Sequence, residues 1–175
     1  MGTKLEKERR FVVKPPSSWT DLSEIFDDLV EIRRITQVYL TPKDSDPAAR
    51  IRKSVEGLVD ETSVRYDFNQ KEFVEAGVHK EKEYEISKEK YEKLLKDAIK
   101  TKVPVEKTRF VFKYNDQLFE LDVFKGHLRG LAILEIELDS MKTLVELPPF
   151  LKVLKEVTED KKYSNFHLAN KKSND

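Results

Sequence analysis

The chain has 175 residues, 38% of them hydrophobic and 38% charged, with 33 basic and 33 acidic side chains and a formal net charge of zero. That length predicts one domain over residues 1–175, with room for a real core or a barrel, and the neutral total excludes bulk attraction to nucleic acid or membrane, so any electrostatic function must come from segregated charges. The absence of cysteine excludes disulfides, thiolate metal sites and a cysteine nucleophile; with no apolar run of membrane-spanning length and no signal peptide, the chain is compatible with a cytoplasmic protein.

Residues 5–13 (LEKERRFVV) read as a strand, and its period of two sends Glu6, Glu8 and Arg10 to one face. Two carboxylates about 7 Å apart repel by roughly 2 kcal/mol at an effective dielectric near 20. Such a pair needs surrounding water or a cation between its members. Lys14-Pro15-Pro16 stops the strand, and Ser18 or Thr20 can cap a helix carrying Leu22, Ile25, Phe26 and Leu29 on one face. Residues 32–41 form a second β-branched and aromatic strand, followed by a polar, Pro-containing loop at 42–47. Strand 48–55 aligns Arg50 with Arg52, and Glu56-Gly57 turns into strand 58–68, whose face includes Arg65.

Residues 69–77 read as a loop. Strand 78–86 then separates Lys80, Lys82, Tyr84 and Ile86 from Glu81, Glu83 and Glu85. Ser87 is a helix cap for the apolar stripe Tyr91, Leu94, Leu95, Ala98 and Ile99. Strands 105–113 and 117–125, joined at Asn115-Asp116, carry Lys107/Arg109 and Glu120/Asp122. Strand 131–138 carries Glu135/Glu137 among Ile133, Leu134, Ile136 and Leu138. Tyr163-Ser164-Asn165 leads into a last helical turn.

Charged doublets spaced by two therefore recur on six predicted strands. A solvated strand face explains one doublet. Their recurrence fits an antiparallel barrel whose alternate residues line a wet, charged lumen. Basic walls suit a multiply charged anion. Acidic walls beside the same anion make sense if divalent cations lie between, and all-oxygen ligands favour Mg²⁺ or Mn²⁺. On this reading Asp122 and Glu135 join the metal-binding carboxylates. His79, His127 and His167 lack metal-ligand spacing and read as surface or tail residues; Trp19 reads as core. No Gly-rich phosphate loop or nucleophile elbow is present.

Glu6-x-Glu8-x-Arg10 resembles the amino-terminal ExExK signature of the CYTH superfamily, the triphosphate tunnel metalloenzymes. Ile35–Leu40, Arg50-x-Arg52, Glu83-x-Glu85, Glu106–Arg109, Phe119–Phe124, Gly130-Leu131 with Glu135-x-Glu137, and Glu156–Asp160 with Tyr163–Asn165 resemble its later strands in order. The resemblance implies a mainly β (α+β) fold, an eight-stranded antiparallel tunnel with flanking helices that hydrolyses or cyclises triphosphates with Mg²⁺ or Mn²⁺. It implies metal binding by Glu6, Glu8 and Glu137, and phosphate binding by Arg10, Arg50, Arg52, Lys107 and Arg109. Glu83 or Glu85 would hold a second metal or its water. Arg10 replaces the usual lysine. The family's fourth strand commonly supplies a lysine before a Gly-containing turn; here Arg65 is the nearest counterpart and that turn reads as absent, and Lys80 or Lys82 could stand in for a later arginine. The overall pattern looks closest to the short bacterial-type tripolyphosphatases, a hydrolase expectation with inorganic tripolyphosphate as substrate. The alternatives are a class IV-type adenylate cyclase, a thiamine triphosphatase or a non-catalytic polyphosphate- or nucleotide-binding module. Many relatives are dimers, which makes a homodimer an admissible assembly.

Overall fold

The computed structural model describes residues 2–18, 22–43, 48–59 and 63–171. Nine strands occur among them: β1 (Lys4–Val13), β2 (Leu29–Tyr39), β3 (Ala49–Glu56), β4 (Val64–Glu75), β5 (Val78–Glu85), β6 (Val105–Tyr114), β7 (Gln117–Phe124), β8 (Ala132–Glu137) and β9 (Val153–Glu156). Their order is β5-β4-β3-β2-β6-β7-β8-β1-β9, and an additional β1–β5 pairing closes the first eight into an antiparallel barrel. β1 makes the closure by changing neighbours along one edge. Its residues 4–7 pair with β5, while residues 11–13 pair with β9. Its other edge holds β8 from Glu8↔Glu137 to Val13↔Ala132.

Because alternate residues of the barrel point inward and many are charged, most of the apolar core lies outside the lumen. Phe11, Phe110, Phe112, Phe119, Leu121, Leu134 and Ile136 form the largest cluster, covered by helix α1 (Ser23–Asp27) and by Leu138, Val145, Leu147, Phe150 and Leu151. On the far side, helix α2 (Lys88–Leu94) lays Tyr91 and Leu94 against Val38, Ile51, Phe68 and Tyr84. A third cluster, Tyr39, Val105, Phe124, Ile133 and Ala169, lies at one end of the barrel under helix α3 (Asn165–Leu168). The sequence puts apolar residues at that end of strands whose other inward positions are charged, and Tyr39 of this cluster lines the lumen there beside Phe166 of α3. No helix among the described residues is long and apolar enough to cross a membrane.

Local signals explain most boundaries. Ser87 caps α2 by accepting from the Lys90 N–H, and Ser164 caps α3 by accepting from His167 N. Asn115 and Asp116 both take positive φ, 45° and 59°, as a two-residue hairpin turn demands. Besides the 58–68 strand, which begins only at Val64, three readings change. Helix α1 begins after Leu22 without a side-chain cap, so Ser18 is not its cap, and Leu29 belongs to β2; Thr20, Trp19 and part of the 42–47 loop lie outside the described residues. The α2 stripe ends in a 3-10 turn at Leu95–Asp97, leaving Leu95 exposed, while Ala98 bridges to Leu40.

The third change matters most for the site. The expected loop at 69–77 is strand up to Glu75, and a tight turn at Gly77 leads into β5. Gly77 has φ +74°, and a Cβ there would stand 2.7 Å from the Glu8 carbonyl oxygen and 2.6 Å from Met141 Cε. The same close approach lets Glu8 N donate to Gly77 O at 2.8 Å. Only glycine meets both the backbone and the space requirement.

Candidate active site

The barrel encloses a cavity of about 740 Å³, within the range that takes small ligands. Among the described residues, nine basic and seven acidic side chains line it. β1 contributes Glu6, Glu8 and Arg10, β3 Arg50 and Arg52, β6 Lys107 and Arg109, and β8 Glu135 and Glu137. Period-two alternation puts each of these pairs on one face, as their spacing predicts.

The wall made by β6, β7 and β8 is a dense ion-pair network. Arg109 donates from Nε and NH2 to Asp122 at 2.7 and 2.8 Å, reaches Glu135 at 2.9 Å and pairs with Glu120. Arg10 donates to Glu135 Oε1 at 2.9 Å and to the Tyr163 carbonyl at 2.6 Å. Lys107, fully buried beside Asp122, has its pKa pulled down to about 8 by burial, against the pull of that carboxylate. Burial also opposes ionisation of Glu135, but Arg10, Arg109 and Lys107 outweigh it and hold its carboxyl well below the usual range.

The opposite wall is crowded with carboxylates. Lys71 of β4 is bonded to Glu6 and lies 3.9 Å from both Glu8 and Glu81. Burial pushes the Glu6 carboxyl up to about 7, with Glu8 and Glu81 adding to the effect against Lys71. Burial lowers Lys71, yet Glu8 and Glu6 more than compensate and raise it. Glu83 accepts from Arg52 at 2.7 Å and from Asn69 at 2.9 Å. His79, paired in register with Glu6, has its pKa held down by burial and by Lys71.

Six buried side-chain atoms among the described residues lack a hydrogen-bond partner: Gln37 Oε1, Arg50 Nε, Arg52 Nε, Asn69 Oδ1, His79 Nδ1 and Asn165 Oδ1. All six residues line this cavity. A lumen with unmet polar atoms, convergent cations and close carboxylates has the features of a site for a polar, multiply charged ligand. One ligand atom each from Glu6, Glu8 and His79 lies within 4.8 Å of the others, and Glu137 faces Glu8 across the β1–β8 ladder. This oxygen-rich donor set fits a divalent cation.

Several expected site residues lie elsewhere. Lys80 and Lys82 are exposed on the outer face of β5, because Glu81 and Glu83 take its inward positions. Glu85 shares their parity but lies at the strand's end, exposed and 3.9 Å from Arg65. Arg65 binds Asp67 at 2.7 Å beside a smaller cavity of about 140 Å³ and is not in the main lumen. Asp122 is on the inward face as the register partner of Arg109, but it is fully buried beneath the cavity surface, bound by Lys107 and Arg109.

Conversely, the lumen includes Lys4, Arg33, Lys71, Glu81, Lys161 and His79, to which the sequence reading gave no site role. Lys71 is the signal that was present. It stands on β4 six residues before the Gly77 turn, where the resemblance expects a lysine before a glycine-containing turn, and that turn is present. His79 is neither a surface nor a tail residue.

The comparisons agree with this architecture. A family model described as the CYTH domain matches residues 4–160. The inorganic triphosphatase of Nitrosomonas europaea is 49% identical over 69 residues, covering 37% of this chain and 44% of that protein. The inorganic triphosphatase of Acetivibrio thermocellus is 34% identical over 89 residues, covering 51% of this chain and 55% of that protein. The matched part of the chain thus spans about half the length of these curated relatives. The crystal structure of the inorganic triphosphatase NE1496 superposes with a TM-score of 0.56 at 31% identity, covering 94% of this chain and 93% of that one. With all nine strands inside the matched region, the chain belongs to the CYTH domain family.

Proposed function

We propose that this protein hydrolyses a linear triphosphate, with inorganic tripolyphosphate the preferred substrate, giving pyrophosphate and phosphate in the presence of Mg²⁺ or Mn²⁺. The observation that carries this reading is the single lumen in which Arg10, Arg50, Arg52, Lys71, Lys107 and Arg109 converge with Glu6, Glu8 and Glu137. The names of the curated relatives and of the NE1496 structure support it.

The charge balance explains why a metal belongs in the reaction. Nine basic residues exceed seven acidic ones by two, less than the negative charge of a triphosphate chain. Divalent cations would make up the difference, polarise phosphoryl oxygens and lower the pKa of a bound water. Glu6, Glu8 and Glu137 would hold the cation. Arg52, Arg50 and Lys107 would extend the phosphate chain along the lumen, and Arg109 with Arg10 would meet charge developing on the scissile phosphoryl group. Glu83, fixed by Arg52 and Asn69, would orient the attacking water. Water would add to the terminal phosphorus as the anhydride P–O bond breaks toward pyrophosphate.

Steady-state phosphate release tests the reading. Tripolyphosphate should show a higher kcat/KM than ATP or thiamine triphosphate, and chelation should abolish turnover. A preference for ATP, or cyclic AMP as the main product, overturns the substrate assignment. Binding of tripolyphosphate without metal-dependent turnover would indicate a binding module.

A further inference from the structure

We propose that His79 is a direct metal ligand, making the cation site a mixed oxygen–nitrogen site with Glu6 and Glu8. The inference deepens the metal-dependent reading above and rests on it.

The geometry begins with the β1–β5 seam. Glu6 and His79 are register partners across that antiparallel pair, so their side chains enter the lumen on one face, with Glu8 two residues along. A donor atom from each of the three lies within 4.8 Å of the other two. Ligand bonds of about 2.1 Å place donor atoms around one ion about 3–4 Å apart, so the three donors need to close in only slightly to share a cation once the Lys71 ammonium, bonded to Glu6 and 3.9 Å from Glu8, gives way to it.

The ring is also held. Phe73, the register partner of His79 on β4, meets it edge-on with centroids 5.9 Å apart and an interplanar angle of 71°. His79 Nδ1 is buried and has no hydrogen-bond partner. A structural histidine would normally satisfy that atom with a carbonyl or hydroxyl, since leaving it unmet costs about 1–3 kcal/mol. A spacing search along the chain misses the site because its members lie on two strands more than 70 residues apart.

An imidazole donor changes which metals the site favours. Carboxylate and water suit Mg²⁺, whereas a ring nitrogen adds more to the binding of transition ions. His79 therefore biases the site toward Mn²⁺ over Mg²⁺, a property that a merely structural histidine would not confer.

The test is electron spin-echo envelope modulation spectroscopy of the full chain loaded with Mn²⁺. The wild-type protein should show modulation from one directly coordinated ¹⁴N, replaced by a ¹⁵N coupling after ¹⁵N-histidine labelling, which needs no variant. The signal should vanish in His79→Gln and persist in His167→Gln. In calorimetric titrations, His79→Gln should bind Mn²⁺ about tenfold or more weakly, while Mg²⁺ affinity falls less. A Mn²⁺-loaded wild type without nitrogen coupling overturns the proposal, as does coupling that survives His79→Gln. Nitrogen-coupled Mn²⁺ in a protein that releases no phosphate from tripolyphosphate would overturn the proposed reaction and leave this ligand set standing. An active triphosphatase with nitrogen-free Mn²⁺ would do the reverse.

Discussion

The two sides of the lumen are built to different standards. On β6, β7 and β8 every buried charge has its partner: Lys107 and Arg109 hold Asp122, and Arg109 and Arg10 divide Glu135 between them. On β1, β4 and β5 three carboxylates crowd a single ammonium, and Glu6 is pushed up to about 7. The unmet buried atoms follow the same division. They belong to β2, β3, β4, β5 and α3, and none belongs to β6–β8 among the described residues. One side is complete as folded and serves as a rigid electrostatic reference. The other has capacity left for a ligand and a cation. Preorganised charge needs such a finished backing, because a site that must rearrange to meet its substrate loses much of its electrostatic advantage.

The comparison can be broken most forcefully at Arg109. Arg109→Ala leaves Asp122, Glu120 and Glu135 without their shared guanidinium, and removing one partner of a buried ion pair typically costs about 3–5 kcal/mol. Urea denaturation should show a loss of that size; an unchanged midpoint would mean that the wall is not held by this residue. Glu137→Gln removes a charge at the end of β8, where that strand meets Glu8 of the unfinished side. Glu137 is exposed and, among the described residues, ion-paired with Lys4 alone, so stability should hold while phosphate release falls about 10²-fold or more, the scale seen when one charged partner of a transition state is lost. Near-normal turnover at saturating tripolyphosphate would remove Glu137 from the metal site.

Arg52 should show a smaller effect, read first in binding. It contributes a charge-assisted hydrogen bond worth about 1.5–3 kcal/mol, so Arg52→Ala should raise KM for tripolyphosphate by about tenfold or more. An unchanged KM would point this guanidinium away from the substrate.

A last effect, read through pH, concerns Lys107. Burial pulls its native pKa down to about 8 from the ordinary lysine value of 10.5, so between these values the unfolded chain binds more protons than the native protein. This group's contribution to stability therefore rises as pH increases from about 8 to 10.5. Lys107→Met should remove that contribution. Guanidinium melts of both proteins across the window check it, and identical pH slopes would contradict the burial of a strained ammonium.

The legible parts of the molecule were those where alternation is strong on its own strand. Glu6/Glu8/Arg10, Arg50/Arg52, Lys107/Arg109 and Glu135/Glu137 show their facing by spacing alone, and the flanking apolar residues of β6 and β8 mark them as strands. β4 was not legible beyond Phe68. Its distal half, Gln70–Glu75, is polar or exposed, with Phe73 and Val74 both facing water, so neither face carries an apolar rhythm. Missing that half hid Lys71 and the Gly77 turn together. Parity also says nothing about depth: Glu83 and Glu85 share a face, but only Glu83 is still within the lumen when the strand leaves the barrel. His79 was beyond any local reading, because its meaning depends on which strand lies beside it.

The change of neighbours along β1 has a consequence for how the protein folds. Residues 4–7 join β5 and residues 8–13 join β8, pairings that link positions more than 70 and more than 110 apart in the chain. Hairpins such as β6–β7 can form early from local contacts, but loop-closure entropy delays pairings of this span. The strand that carries Glu6, Glu8 and Arg10 is thus the one whose docking seals the barrel, and an open intermediate lacking it would have neither a lumen nor the carboxylates. Amide exchange should distinguish this seam as a late, cooperative unit, more protected when ligand is bound, while the β6–β7 hairpin is protected from the start of refolding. In such a folding order the protein cannot bind its ligand until the last long-range pairing is made.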